Sequence, residues 1–140
     1  MRKVIGVIIC IYLSVLAWDL YLSHKHLYRA CMYLSQNQEP KAFKELQIAV
    51  KQNPFNIIAK YYYAGLLAYH KDPIQAIRIY EQIEIRHPYF LLINYQKSLI
   101  YKELKLYRLA YEEILKAERL YPLDEVIQAE KKNYIIKRGE

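Results

Sequence analysis

Glycine, proline and cysteine are scarce in this chain, and their scarcity excludes several classes of protein. Among 140 residues there are three glycines, five prolines and two cysteines. No glycine-rich phosphate loop or nucleophile elbow occurs, and two cysteines form neither a disulfide framework nor a zinc pattern. No long run alternates apolar and polar residues, as a half-buried strand would. We therefore predict an all-α fold, and 54% hydrophobic residues suffice for the core of one domain.

Catalytic and metal-binding patterns are missing as well. The four histidines are scattered along the chain. His24 and His26 stand two positions apart, which places them on different faces of a helix and makes a shared metal ion improbable. The pair Glu112 and Glu113 has the pattern of a solvated helix face. We predict that the chain is not an enzyme and has no metal site, no cofactor and no small-molecule substrate.

The formal net charge of +7 is concentrated toward the amino-terminal end. Residues 23–60 carry six Lys and Arg residues against two glutamates, whereas residues 61–140 are nearly balanced. This bias lies beside an apolar segment, so we expect a juxtamembrane location for the charge and no nucleic-acid partner. Nucleic-acid binding through the basic part of the chain is the alternative, and it would depend steeply on salt.

Residues 1–22 have the pattern of an export or anchoring segment. Arg2 and Lys3 precede an apolar run, and Trp18 and Tyr21 border it as interfacial aromatics do. We predict an uncleaved transmembrane anchor, with a signal segment cut before Trp18 as the alternative. The protein would then be a single-pass membrane protein whose remaining residues lie on the extracytoplasmic side.

A period of 34 residues organises the rest of the chain. Prolines recur at that spacing at Pro54, Pro88 and Pro122, and alanines at Ala42, Ala76 and Ala110. Three further columns follow the same frame, namely Ala30, Ala64 and Ser98; Leu46, Tyr80 and Ile114; and Tyr33, Leu67 and Tyr101. Small residues suit close helix crossings, bulky residues fill the space between helices, and proline ends each helical pair.

On these columns, residues 23–122 resemble the tetratricopeptide repeat family. The sequence departs from the family pattern at His26, Lys60 and Asn94, which occupy its tryptophan-like position. The resemblance implies an α-solenoid of three helical hairpins within a repeat domain over 23–140. The hairpins are expected at about 23–56, 57–90 and 91–124, followed by a closing helix at 124–137 that covers the last hairpin.

Several residues are suited to starting these helices. Asn56, Asp72 and Asp124 each precede a helical pattern and are predicted to cap it, and Pro73 fits the first position of a helix. The turn at Lys105 lacks an obvious cap. These signals support the helical pairs independently of the repeat columns.

The family resemblance also implies a binding surface, because the first helix of each hairpin lines the concave side of such a stack. Sixteen tyrosines supply apolar area with hydroxyls that stay hydrated. The predicted partner-binding residues are Tyr28, Tyr61, Tyr62, Tyr69, Tyr95, Gln96 and Lys102. They imply a scaffold or adaptor, tethered to a membrane, that binds a protein or peptide in a tyrosine-rich groove. In the alternatives, some of these tyrosines pack between hairpins, or the chain is a non-catalytic tail or accessory of a membrane glycan polymerase of the O-antigen-ligase-like kind.

Overall fold

Every regular element that the structure describes is a helix. The computed structural model describes residues 2–70, 72–90 and 92–138, and within them it has seven helices and no strand. The helices are α1 (Arg2–Ser35), α2 (Glu39–Gln52), α3 (Ile57–His70), α4 (Pro73–Arg86), α5 (Ile93–Glu103), α6 (Tyr107–Leu120) and α7 (Glu125–Arg138). The all-α prediction is confirmed, and the nesting of hairpins into a solenoid stays a prediction.

Three helices begin at the capping residues expected from the sequence. The Asn56 side-chain oxygen accepts a hydrogen bond from the Ala59 amide at 3.1 Å, at the start of α3. The Asp72 carboxylate accepts from the Gln75 amide at 2.9 Å, and Pro73 follows at the first position of α4. The Asp124 carboxylate accepts a hydrogen bond from the Ile127 amide at 3.1 Å, at the start of α7. Each cap satisfies an amide that has no partner within its helix.

Two of the helix-to-helix turns share one backbone conformation. Asn37, between α1 and α2, has φ 56°, and Lys105, between α5 and α6, has φ 60°. In both turns the next amide donates to a carbonyl five residues earlier, at 2.8 Å. The two positions are 68 residues apart, which is twice the sequence period. The turn that lacks a capping side chain is therefore closed by backbone hydrogen bonds.

The residues of the predicted columns are packing residues. Buried members are Ala30, Ala64, Ser98, Ala42, Ala76, Ala110, Leu46, Tyr80, Ile114 and Leu67, whereas Tyr33 and Tyr101 are half-buried. On α2 and α6 the buried positions recur every three or four residues, which places them on one face of each helix. The columns thus mark the side of each helix that faces the core.

The chain divides into two compact units, unit 1 (Met1–Leu66) and unit 2 (Leu67–Glu140). In unit 1, the core contains Leu27 and Ala30 of α1, Leu46 and Ala49 of α2, and Ala59 of α3. A neutral polar contact joins the same three elements: the buried Ser23 hydroxyl donates to the Ala49 carbonyl at 2.9 Å and accepts from the Asn56 side-chain amide at 2.9 Å.

Unit 2 is built from the end of α3 and from α4 to α7. Helix α5 packs against both α4 and α6, and α7 packs on α6. The core between α6 and α7 consists of Ala110, Ile114, Ala117, Ile127 and Tyr134. Helix α7 therefore covers an apolar face of α6, while Val126 is exposed. That it closes a stack of hairpins stays a prediction.

Helix α1 runs without a break through residues predicted to form an anchor and a repeat helix. The prediction of a single-pass membrane protein is contradicted, because none of the helices in the described ranges is both long and apolar enough to cross a bilayer. Asp19 interrupts the apolar part of α1, and Ser23, His24 and Lys25 follow it. The side chains of Arg2 and Lys3, on which the predicted orientation depended, lie outside the described residues.

Candidate partner-binding surface

The seven predicted binding residues are divided between the two units, and all are at least partly accessible. Tyr28, Tyr61 and Tyr62 belong to unit 1, whereas Tyr69, Tyr95, Gln96 and Lys102 belong to unit 2. The exposed fractions are 67% for Tyr28, 38% for Tyr62 and 61% for Tyr69, and the other four residues are half-buried. Their role in binding stays a prediction.

Three of the predicted residues in unit 2 lie close together around Tyr95. Burial raises the pKa of the Tyr95 hydroxyl, the carboxylate of Glu130 raises it further, and the charge of Lys102 opposes them. Tyr69 also lies near enough to contribute. Gln96 follows Tyr95 on α5 and is half-buried. Tyr69 and Lys102 therefore both lie near enough to Tyr95 to influence it electrostatically.

Lys102 is held by an internal ion pair. The Lys102 ammonium lies 2.5 Å from the Glu130 carboxylate of α7, and it also lies over the Tyr134 ring at 5.8 Å from the centroid. Tyr134 donates a hydrogen bond to the Ser98 carbonyl at 3.2 Å, and burial raises its pKa to about 12. Glu130 thus balances the charge of Lys102, and the carboxylate of Asp124 also lies near enough to Tyr95 to raise the pKa of its hydroxyl.

Unit 2 also contains a buried ionic cluster. The Lys97 ammonium of α5 contacts Glu84 of α4 at 2.6 Å and Glu113 of α6 at 3.0 Å. Asn94, one turn earlier on α5, donates to the same two carboxylates at 2.6 and 3.0 Å, and Lys116 donates to Glu113 at 2.7 Å. The cluster joins α4, α5 and α6, and each of its charges faces an opposite charge.

The neighbouring groups determine the protonation states of Lys97 and Glu113. Burial disfavours charged Lys97, but hydrogen bonds and charge from Glu84 and Glu113 outweigh it and raise the pKa. Burial likewise disfavours charged Glu113, but Asn94, Lys116 and Lys97 lower its pKa below the ordinary value of 4.5. Both groups are therefore charged near neutral pH. This cluster is a structural element rather than a set of groups poised to exchange protons.

The sequence did not reveal this cluster. Glu113 was expected on a solvated face, but it is only 7% exposed, and Lys97 is 3% exposed. The one available signal was the spacing of Asn94 and Lys97 on the buried side of α5, where apolar residues would be usual. A polar pair at such positions indicates partners on neighbouring helices, although it does not say which ones.

The predicted residues of unit 1 form a looser group. The rings of Tyr61 and Tyr62 contact each other edge to face, with centroids 5.7 Å apart, because they are neighbours on α3. Tyr62 is the more accessible of the two, and Tyr28 projects from α1. Leu27, the neighbour of Tyr28 on α1, is buried in the core. Unit 1 therefore has exposed tyrosines on two helices, Tyr28 on α1 and Tyr62 on α3.

Candidate metal ligands are not grouped in the part of the chain that the structure describes. Across 2–70, 72–90 and 92–138, no three His, Cys, Asp or Glu side chains are grouped to hold a metal ion. His26 is hydrogen-bonded to Glu45 at 2.6 Å in unit 1. The prediction that the chain is not an enzyme stays a prediction.

Comparisons with known proteins do not assign the chain to a family. No protein-family model matches the sequence. A search of curated proteins finds no significant match either. The resemblance to tetratricopeptide repeats therefore rests on the 34-residue period and on the residues of its columns, which are observed in this sequence itself.

Proposed function

We propose that this chain is a non-catalytic helical-repeat adaptor that binds a peptide or protein segment through its exposed tyrosines. The observation that carries the proposal is the separation of roles within single helices. On α5, Asn94, Lys97 and Ser98 are buried in packing or ionic contacts, while Tyr95 and Gln96 between them remain accessible. Accessible tyrosines on a rigid helix provide large contact area at low entropic cost, which suits protein recognition.

The proposal includes the finer architecture that the sequence implies. We propose that α1 to α6 form three hairpins of the tetratricopeptide type, with α7 closing the stack. The burial of the small and bulky columns and the shared turn conformation at Asn37 and Lys105 support it. An experimentally determined structure in which successive hairpins are related by one repeated rotation would agree, and hairpins without such a relation would contradict it.

The binding role is tested by crosslinking from defined positions. A photoreactive amino acid replaces Tyr62 or Tyr69 in the full chain within source cells, and the crosslinked products are identified. Tyr89 is the matched control, because it is also a tyrosine and is 73% exposed, but it lies outside the predicted surface. We expect one recurrent product from Tyr62 and Tyr69 and none from Tyr89. Identical products from all three positions would contradict a specific surface.

Recovery of that product by variants completes the test. We expect Tyr62→Ala with Tyr69→Ala to weaken partner recovery about tenfold or more, since exposed aromatic contacts often dominate interface energy. Tyr89→Ala should leave recovery unchanged. The thermal unfolding of each variant shows whether its fold is intact. Full recovery by the folded double variant would refute the proposed function.

A further inference from the structure

One side of α1 combines exposed aromatic residues with cations. We call it the basic-aromatic face, and it consists of Tyr21, Lys25, Tyr28, Arg29 and Met32. Their spacing of three or four residues, with Lys25 and Arg29 four apart, aligns them on one side of a helix. The opposite side carries Ser23, Leu27 and Ala30, which are buried in unit 1. The face thus points away from the core and spans about 16 Å of helix.

The large side chains of this face are exposed, and the ring of Tyr21 contacts that of Trp18 on the same helix, with centroids 5.8 Å apart. Tyr21 is 56% exposed and Met32 is 44% exposed, and Tyr28 is among the most exposed tyrosines. Single exposed apolar residues are common on any protein surface, but three of them in one stripe form a continuous contact area. Such a stripe is suited to a second helix, because ridges of side chains on two helices interlock.

The charge on this face is not neutralised within unit 1. Lys25 and Arg29 are exposed and take part in no ion pair among the residues that the structure describes. Residues 1–66 contain only three acidic residues, and one of them, Glu45, is bonded to His26. A partner with carboxylates at matching positions would therefore find two available cations beside apolar area.

We propose that the basic-aromatic face binds an acidic amphipathic helix of a partner protein. Its apolar side chains would pack on Tyr21, Tyr28 and Met32, and its carboxylates would pair with Lys25 and Arg29. A nucleic acid fits less well, because such binding depends mainly on many cations that contact phosphates, and this face supplies two. Tyr28 belongs to both surfaces, so this proposal rests on the proposed function and names the partner class at one of its residues.

A synthetic peptide tests the proposal without the natural partner. The probe is a fluorescent helical peptide with leucine on one face and glutamate on the other, and the control peptide has lysine in place of glutamate. Binding to the full chain is measured by fluorescence anisotropy at two salt concentrations. We expect the acidic peptide to bind and the lysine peptide not to bind. Added salt should weaken the binding of the acidic peptide, since exposed charges are screened.

Charge reversal locates the site. We expect Lys25→Glu with Arg29→Glu to weaken binding about tenfold or more, because attraction becomes repulsion. The matched control is Lys44→Glu with Lys51→Glu, which makes the same change in net charge at two exposed lysines of α2. It should alter binding by about twofold or less, because these lysines belong to α2 and not to the basic-aromatic face, and exposed charges are screened by salt. Tyr28→Ala should weaken binding while leaving its salt dependence intact.

Several results would overturn the proposal. If both charge reversals weakened peptide binding equally, the peptide would be responding to net charge alone. A failure of the acidic peptide to bind the unchanged chain would also refute the proposal. Tighter binding of a poly-thymidine oligonucleotide or of phosphatidylserine vesicles than of the peptide would assign the face to another class of partner. Tyr89→Ala, at an exposed tyrosine outside both surfaces, should leave peptide binding unchanged. Crosslinks from Tyr62 that persist when the acidic peptide does not bind would spare the proposed function and reject only this proposal.

Discussion

The two units treat their charged residues in opposite ways. Residues 67–140 hold thirteen Lys and Arg residues against eleven Asp and Glu, and the central ones are paired across helices, as in Lys97 with Glu84 and Lys131 with Glu118 at 2.8 Å. Residues 1–66 hold eight against three, and exposed cations such as Lys25 and Arg29 remain without a partner in the described residues. Charge is thus used inside unit 2 for assembly, while in unit 1 it is left at the surface.

The interiors differ in the same sense. The core of unit 1 joins α1, α2 and α3 through apolar residues and a neutral contact between Ser23 and Asn56. Unit 2 joins α4, α5 and α6 through buried ions, which are costly to remove from water and tolerable only when fully paired. Helices are therefore joined by neutral contacts in unit 1 and by ionic contacts in unit 2. Substitutions in each unit test whether the two kinds of contact differ in energy.

The largest effect is expected from Lys97→Met. Removing the ammonium leaves Glu84 and Glu113 together with no buried cation, which should lower the free energy of unfolding by about 3–5 kcal/mol. Lys116→Met removes a cation from the same Glu113, but its side chain is 52% exposed, so we expect a loss of about 1 kcal/mol or less. Urea unfolding measures both. Equal losses would show that burial of the cluster has no energetic consequence.

The corresponding change in unit 1 is Asn56→Ala. It removes the cap of α3 and leaves the buried Ser23 hydroxyl without a donor, and we expect a loss of about 2 kcal/mol. Asp72→Ala, which removes an exposed cap from α4, should cost about 1 kcal/mol. The difference between the unfolding midpoints of these two variants measures the contribution of the buried contact to stability. If the two variants were equally stable, the contact between Ser23 and Asn56 would add nothing beyond capping.

Acid should affect the two interiors differently. The pKa of folded Glu113 lies below its unfolded value, so its contribution to stability is present above about pH 4.5 and is lost as the pH falls through the folded pKa. We expect unit 2 to lose protection against amide hydrogen exchange before unit 1 does. Glu113→Gln should be less stable at neutral pH but should show a smaller further loss in acid. An unchanged acid dependence in that variant would exclude Glu113 as its source.

The smallest effects are expected at exposed charges in either unit. Arg108 and Glu112 form a pair on the surface of α6 at 3.1 Å, and Arg108→Ala should cost about 0.5 kcal/mol or less. Lys51→Ala, an exposed change in unit 1, should have a similarly small effect. Thermal unfolding provides the measurement. A loss above about 1 kcal/mol at Lys51 would mean that unit 1 also uses its charges for stability.

Much of the fold could be predicted because its determinants are local. The period of 34 residues located the buried columns, and Asn56, Asp72 and Asp124 located helix starts, since caps act within three residues. The ionic cluster could not be predicted, because Glu84 and Glu113 approach Lys97 only after three helices have packed. The membrane prediction was wrong for the described residues, because a pattern of apolar residues with aromatic borders does not by itself establish a bilayer span.

The candidate surface was predictable only in outline. Helical position separates Tyr95 from its buried neighbours, so the accessibility of such tyrosines follows from the pattern. The pairing of Lys102 with Glu130 does not, because Glu130 lies 28 residues further along the chain. Nor did the sequence indicate that the cations of α1 would remain unpaired, since that depends on which acids the other helices bring near.

The unbroken length of α1 has a mechanical consequence. It is one helix of 34 residues without proline, about 50 Å long, and its last turns are fixed in unit 1 while the large apolar side chains between Ile8 and Tyr21 are exposed. The exposed half is joined to the packed half by one continuous helical backbone. A partner bound to the exposed half would therefore be coupled to the core of unit 1 through that helix.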